Sequence, residues 1–101
     1  MSETIVFDTV ESVLAEVKRI IQEYPKIEKV ILFGSRARGD ERYNSDIDLC
    51  VFAPETQYDM FSDFASAVDD IYTHYSFDVV FFPHLNNETL KNDVLTEGVE
   101  L

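Results

Sequence analysis

The chain has 101 residues, enough for one small domain near the lower limit of a dependable hydrophobic core. Its 20 acidic and 8 basic residues give a formal net charge of −12, which repels a phosphate backbone and excludes general binding to a long nucleic acid. A hydrophobic share of 46%, with eight Phe and five Tyr, is that of a globular protein, and no apolar stretch approaches the roughly 20 residues that span a membrane.

The opening MSETIVFDTV lacks a basic segment leading into an apolar one, so no secretion signal is expected. Cys50 is the single cysteine and allows no internal disulfide, which favours a reducing, cytoplasmic location. From Val10 onward, Val13, Leu14, Val17, Ile20, Ile21 and Tyr24 recur at three- and four-residue steps, the signature of one apolar helix face. Asp8 with Glu11 reads as a capping box in which Asp replaces Ser or Thr, and Pro25 marks the stop.

Residues 30–33 form a short β-branched and aromatic run that predicts a buried strand ending at Gly34. After a polar segment over residues 34–45, residues 46–53 alternate. Ile47, Leu49, Val51 and Ala53 share one face, and Asp46, Asp48, Cys50 and Phe52 share the other. Pro54 precedes a second helical pattern carrying Met60, Phe61, Phe64, Ala65, Val68, Ile71, Tyr72 and Tyr75. Residues 77–82 predict a third strand, closed by Pro83. Asn87 then caps a short helix with Leu90, Val94 and Leu95, and Gly98 ends it. With no repeat and no Pro/Gly/Ser linker, the order α-β-β-α-β-α predicts one α+β domain over residues 1–101, a small mixed β-sheet with helices packed mainly on one face.

The chemistry concentrates in residues 34–49, GSRARGDERYNSDIDL. Two residues apart on a strand, Asp46 and Asp48 project from the same face with Cα atoms roughly 6–7 Å apart. Such a pair repels unless a cation neutralises it, and Mg²⁺ takes one or two carboxylates together with substrate phosphates. An edge strand carrying two solvated acids is the plainer alternative. Gly34-Ser35 directly after a strand lets a phosphate approach the backbone, with N–H groups and a hydroxyl as donors, though an ordinary strand-to-helix turn has the same letters. Arg36 and Arg38 have two natural sets of partners, nucleotide phosphates or the neighbouring acids Asp40 and Glu41.

Taken together, GSRARG, five intervening residues and SDIDL resemble the signature of the polymerase-beta-like nucleotidyltransferase superfamily, and most of all its minimal nucleotidyltransferases, the antitoxin partners of HEPN toxins. The resemblance extends over nearly the whole chain, from the leading helix to the final EGVEL. It implies a nucleotidyltransferase fold in which Gly34 and Ser35 hold the triphosphate of the nucleotide. Asp46 and Asp48 become metal-binding aspartates, and Asp78, in SFDVVFF, becomes the third catalytic carboxylate and a ligand of the same metal ions. Arg36 and Arg38 would contact phosphate or nucleotide, Arg38 being partly structural beside Gly39.

The implied reaction moves a nucleoside monophosphate, AMP from ATP, onto a hydroxyl with two Mg²⁺ ions. The implied acceptor is a tyrosine of a cognate HEPN ribonuclease toxin, which makes the chain an antitoxin. The contrasting reading is a binding module that neutralises a partner protein by occlusion alone. A transferase for a small antibiotic requires additional domain material. His74 and His84 lack zinc-site spacing, and Lys91 reads as a solvated helix residue. Phe61 and Phe64 read as core, and Cys50 as filler beside the acidic pair. Base preference and the choice between homo- and hetero-oligomer stay open at this level.

Overall fold

Alternation along residues 47–52 sends apolar side chains to both sides of a sheet, and both sets need cover. The computed structural model, which describes residues 5–42 and 45–101, meets that need with helices on both faces. The readings that fall on residues 1–4, and on Tyr43 and Asn44 of the signature, lie outside the described residues.

Four strands, β1 (Lys29–Phe33), β2 (Ile47–Phe52), β3 (Phe77–Phe81) and β4 (Val99–Glu100), form a sheet in the order β3-β2-β1-β4. β1 is antiparallel to both β2 and β4, whereas β2 and β3 are parallel, so the sheet is mixed. Parallel neighbours require a long crossover, and the helix α3 (Tyr58–Asp69) supplies it.

The helices α1 (Val10–Ile21) and α3 cover one face. There Val13, Val17 and Ile20 of α1 and Phe61, Phe64 and Val68 of α3 pack with Val30, Leu32, Ile47, Leu49 and Val51 of the sheet. Tyr24 meets Phe64 edge-on with ring centroids 5.6 Å apart. Removing such side chains from water supplies about 1.5–3 kcal/mol each, the main favourable contribution to the fold. On the opposite face Ile31, Phe33 and Cys50 form a smaller cluster with Val94 of α4 (Glu88–Glu97). Two of the three long helices thus share a face, and the shortest shields the other.

Several element ends differ from the sequence expectation. Thr9, not Asp8, caps α1: its Oγ1 accepts from Ser12 N–H at 3.0 Å, and Ser12 Oγ accepts from Thr9 N–H at 3.2 Å. Serine closes the reciprocal box that the eye assigns to Glu11. α3 stops at Asp69, so Ile71, Tyr72 and Tyr75 extend the apolar pattern without being helical. Ile71 still reaches the core while Tyr72 is 61% exposed. In α4, capped by Asn87 Oδ1 accepting from Leu90 N–H at 3.1 Å, Leu95 faces solvent. Gly98 does end α4, but in extended backbone (φ −71°, ψ 154°). A Cβ there would collide with the Ile31 side chain and the Val94 carbonyl, so close packing demands glycine.

Candidate active site

Strand alternation and register bring Asp48, Asp78 and Gly34 together. Asp48 is the second residue of β2, on the face of Cys50 and Phe52, and its direct neighbours are Phe33 on β1 and Asp78 on β3. Paired residues in adjacent strands project to the same side of a sheet, so the Asp48 and Asp78 carboxylates stand side by side. Asp46 immediately precedes β2 and is exposed, Asp48 is half-buried, and Asp78 is exposed on an edge strand. That exposure by itself explains how an acid is tolerated within FDVVF; no cation is needed for that.

Gly34, next after Phe33, approaches Asp48 from the other side. Its φ of 77° and ψ of −156° lie where residues with a side chain are strained, and a Cβ would overlap Asp48 Oδ2. This backbone turn starts α2 (Ser35–Arg38), a single turn of helix in which Gly34 O accepts from Ala37 N–H and Arg38 N–H, both at 3.1 Å. Among the described residues no side chain caps this turn, which leaves its first N–H groups available to an outside acceptor. Gly39 closes it in the left-handed conformation, φ 82° and ψ 13°.

The two arginines are engaged differently. Arg36 donates from Nε and Nη2 to the Ser45 carbonyl oxygen at 3.2 and 2.8 Å, and its guanidinium lies 5.2 Å from the Tyr75 ring centroid. Arg38 pairs with acids at the surface, Nε to Asp40 Oδ2 at 3.3 Å and Nη1 to Glu97 Oε2 at 3.6 Å. Ser45 and Tyr75 are the site residues that sequence reading misses. Ser45 contributes a main-chain carbonyl, which has no letter in the sequence, and Tyr75 continues an apolar helical pattern.

Electrostatics single out Asp48. Burial, first, and then repulsion by Asp78 and Asp46 hold its carboxyl above the usual carboxylate value of 3.8, with Arg36 and Arg38 offsetting part of the effect. Among the described residues, no three His, Cys, Asp or Glu side chains are drawn close enough to cage a metal by themselves. The donor type is nevertheless suited to Mg²⁺: carboxylates alone, without sulfur or imidazole, beside the Gly34 turn. Such an ion would take its remaining ligands from phosphate oxygens and water.

Other residues stand apart. Cys50 is fully buried, and burial pushes its thiol up to about 12. His84 stacks on Tyr58 at 4.9 Å, and Lys91 Nζ pairs with Glu88 Oε1 at 3.6 Å on the α4 surface. Among the described residues, no helix is long and apolar enough to cross a membrane.

The profile of the polymerase beta, nucleotidyltransferase family matches residues 15–101. A Methanocaldococcus jannaschii protein, named as a candidate protein adenylyltransferase, is 33% identical over 60 residues, which cover 59% of this chain and 60% of that protein's length. A solved structure described as a candidate minimal nucleotidyltransferase is similar with a TM-score of 0.69 at 28% identity, covering 90% of this chain and 94% of the other. A toxin–antitoxin crystal structure with AMP-PNP is similar with a TM-score of 0.58 at 27% identity, covering 91% of this chain and 72% of the other.

Proposed function

The chain belongs to the polymerase beta nucleotidyltransferase family, and from that premise we propose that it transfers AMP from ATP to a hydroxyl of a partner protein. The naming of the M. jannaschii relative for protein adenylyltransfer supports a protein acceptor, and the similar toxin–antitoxin structure with AMP-PNP supports an adenine nucleotide. The partner in this reading is a HEPN-type toxin that presents a tyrosine hydroxyl, and residues 1–101 act as one antitoxin domain. A net charge of −12 disfavours RNA as acceptor and suits a basic docking surface. One observation carries the reading: Asp48 sits between the Gly34 turn and Asp78, so a phosphate-compatible backbone and two carboxylates share one surface.

In this mechanism Gly34 and Ser35 receive the triphosphate, whose oxygens accept from the uncapped N–H groups of α2. Asp46 and Asp48 would hold Mg²⁺, which when bound supplies neutralisation of the triphosphate charge. Asp78, one strand over, aligns the acceptor hydroxyl and takes its proton as the oxygen bonds to the α-phosphorus. The bond from that phosphorus to the bridging oxygen breaks, and pyrophosphate leaves. The protein contributes position and charge, with no covalent intermediate of its own.

The test uses ATP labelled at the α- or the γ-phosphate, Mg²⁺ and a HEPN toxin as acceptor. Label from the α position alone should appear on the toxin and vanish with Asp46→Ala/Asp48→Ala. Toxin inhibition that persists in that double variant without label would instead establish neutralisation by occlusion.

A further inference from the structure

Asp46 is exposed and precedes the first residue of β2, where side-chain packing does little to hold it. Its backbone is nevertheless fixed on both sides. The peptide unit after it is anchored because Ile47 N–H donates to Ser76 O at 2.9 Å, tying it to the segment that leads into β3. The peptide unit before it contains the Ser45 carbonyl, and that oxygen accepts from both Nε and Nη2 of Arg36, at 3.2 and 2.8 Å. Because a peptide unit is planar, holding the Ser45 oxygen also holds the Asp46 nitrogen and the direction in which its Cα leaves. The guanidinium is itself seated 5.2 Å from the centroid of the Tyr75 ring, just ahead of β3. We infer that Arg36 is a positioning residue for Asp46, a tie from the Gly34-Ser35 turn to the carboxylate that the turn must work with, supported from beneath by Tyr75.

This assignment differs in kind from phosphate binding. One bidentate edge of the Arg36 fork, Nε with Nη2, is already spent on a main-chain oxygen. A residue that positions a carboxylate affects turnover and metal affinity, whereas a phosphate ligand affects nucleotide affinity. Lysine separates the two roles: as a point charge it serves a phosphate, but it has neither the planar fork nor the stacking face.

The first arm of the test needs no activity and no ligand. In the ¹⁵N-labelled chain, Arg36→Lys and Tyr75→Leu should lower the backbone order parameters of Ser45 and Asp46 from about 0.85 towards 0.6, with Leu49 unchanged. Unchanged values at Ser45 and Asp46 in both variants would overturn the inference. The second arm rests on the proposed transfer. Arg36→Lys should lower kcat by about 10- to 100-fold and leave the ATP KM within about 3-fold. Mn²⁺ affinity in the presence of AMP-PNP should weaken by about 10-fold or more. A raised ATP KM with kcat preserved would make Arg36 a phosphate ligand and also overturn the inference. A wild-type chain that transfers no label would sink the proposed function, while the order parameters still decide the role of Arg36.

Discussion

The absent side chain of Gly34 makes room for the Asp48 carboxylate: any Cβ at residue 34 would overlap Asp48 Oδ2. Two demands meet at this position, a positive φ of 77° and direct contact with a charged group. Gly34→Ala should therefore cost more than the about 1–3 kcal/mol typical of a strained backbone conformation, and should displace Asp48. Gly39 is the internal control. It also has a positive φ, 82°, but a Cβ there meets nothing within 4 Å, so Gly39→Ala should cost only about 1 kcal/mol. Thermal unfolding of both variants checks the difference. Label transfer should fall by about 100-fold or more in Gly34→Ala alone.

Asp48 predicts a conflict between stability and function. Its carboxyl titrates above the ordinary 3.8, because of burial first and of Asp78 and Asp46 next. Between 3.8 and that raised value the folded state keeps a proton that the unfolded chain releases. Stability therefore falls as pH rises through this window, and the loss persists above it. Asp48→Asn removes the unfavourable charge. It should melt higher than wild type at neutral pH, with the gap closing below pH 3.8, while transfer is abolished. Added Mg²⁺ and ATP should raise the wild-type midpoint more than that of the variant. A variant that melts below wild type at neutral pH would contradict this account.

The α1 cap is tested by two adjacent residues. Thr9→Ala loses the reciprocal pair with Ser12 and should cost about 1 kcal/mol, which in a domain of this size is roughly 4–8 °C in melting temperature. Asp8→Ala should cost only a few tenths of a kcal/mol, about what a charge near a helix start contributes. Equal losses would return the cap to Asp8.

What could be read in the letters alone divides along physical lines. Alternation placed Asp48 and Cys50 on one face and Ile47, Leu49 and Val51 on the other, since a strand has a strict period of two and any slip buries charge. The neighbourhood of Asp48 and Asp78 was legible only through the family resemblance, which set Asp78 as the third carboxylate. Nothing local, however, states that β2 and β3 are in register at those residues. The end of α3 was hidden because Ile71 and Tyr75 keep the helical spacing while serving the loop and Arg36. β4 was invisible because two residues, Val99–Glu100, carry no periodicity; only pairing with Ile31 and Leu32 makes them a strand. The Arg36–Ser45 tie spans nine residues and ends on a carbonyl, so it belongs to tertiary structure alone.

Arg38 offers the cleanest separation of stability from nucleotide contact. Its side chain is 41% exposed, and both of its carboxylate partners, Asp40 and Glu97, are more exposed still. Pairs of this kind contribute about 0.2–1 kcal/mol, because water competes for each charge and long side chains lose freedom on pairing. Arg38→Gln should leave the melting temperature within a few degrees of wild type. If Arg38 turns from Asp40 to the triphosphate when ATP binds, the same variant should raise the ATP KM by about 10-fold with kcat little changed. Asp40→Asn, which removes the competing acid, should then lower that KM, because less must be given up before the phosphate is met. A KM unaffected by either substitution would confine Arg38 to its surface pairs and leave the triphosphate to the Gly34-Ser35 turn.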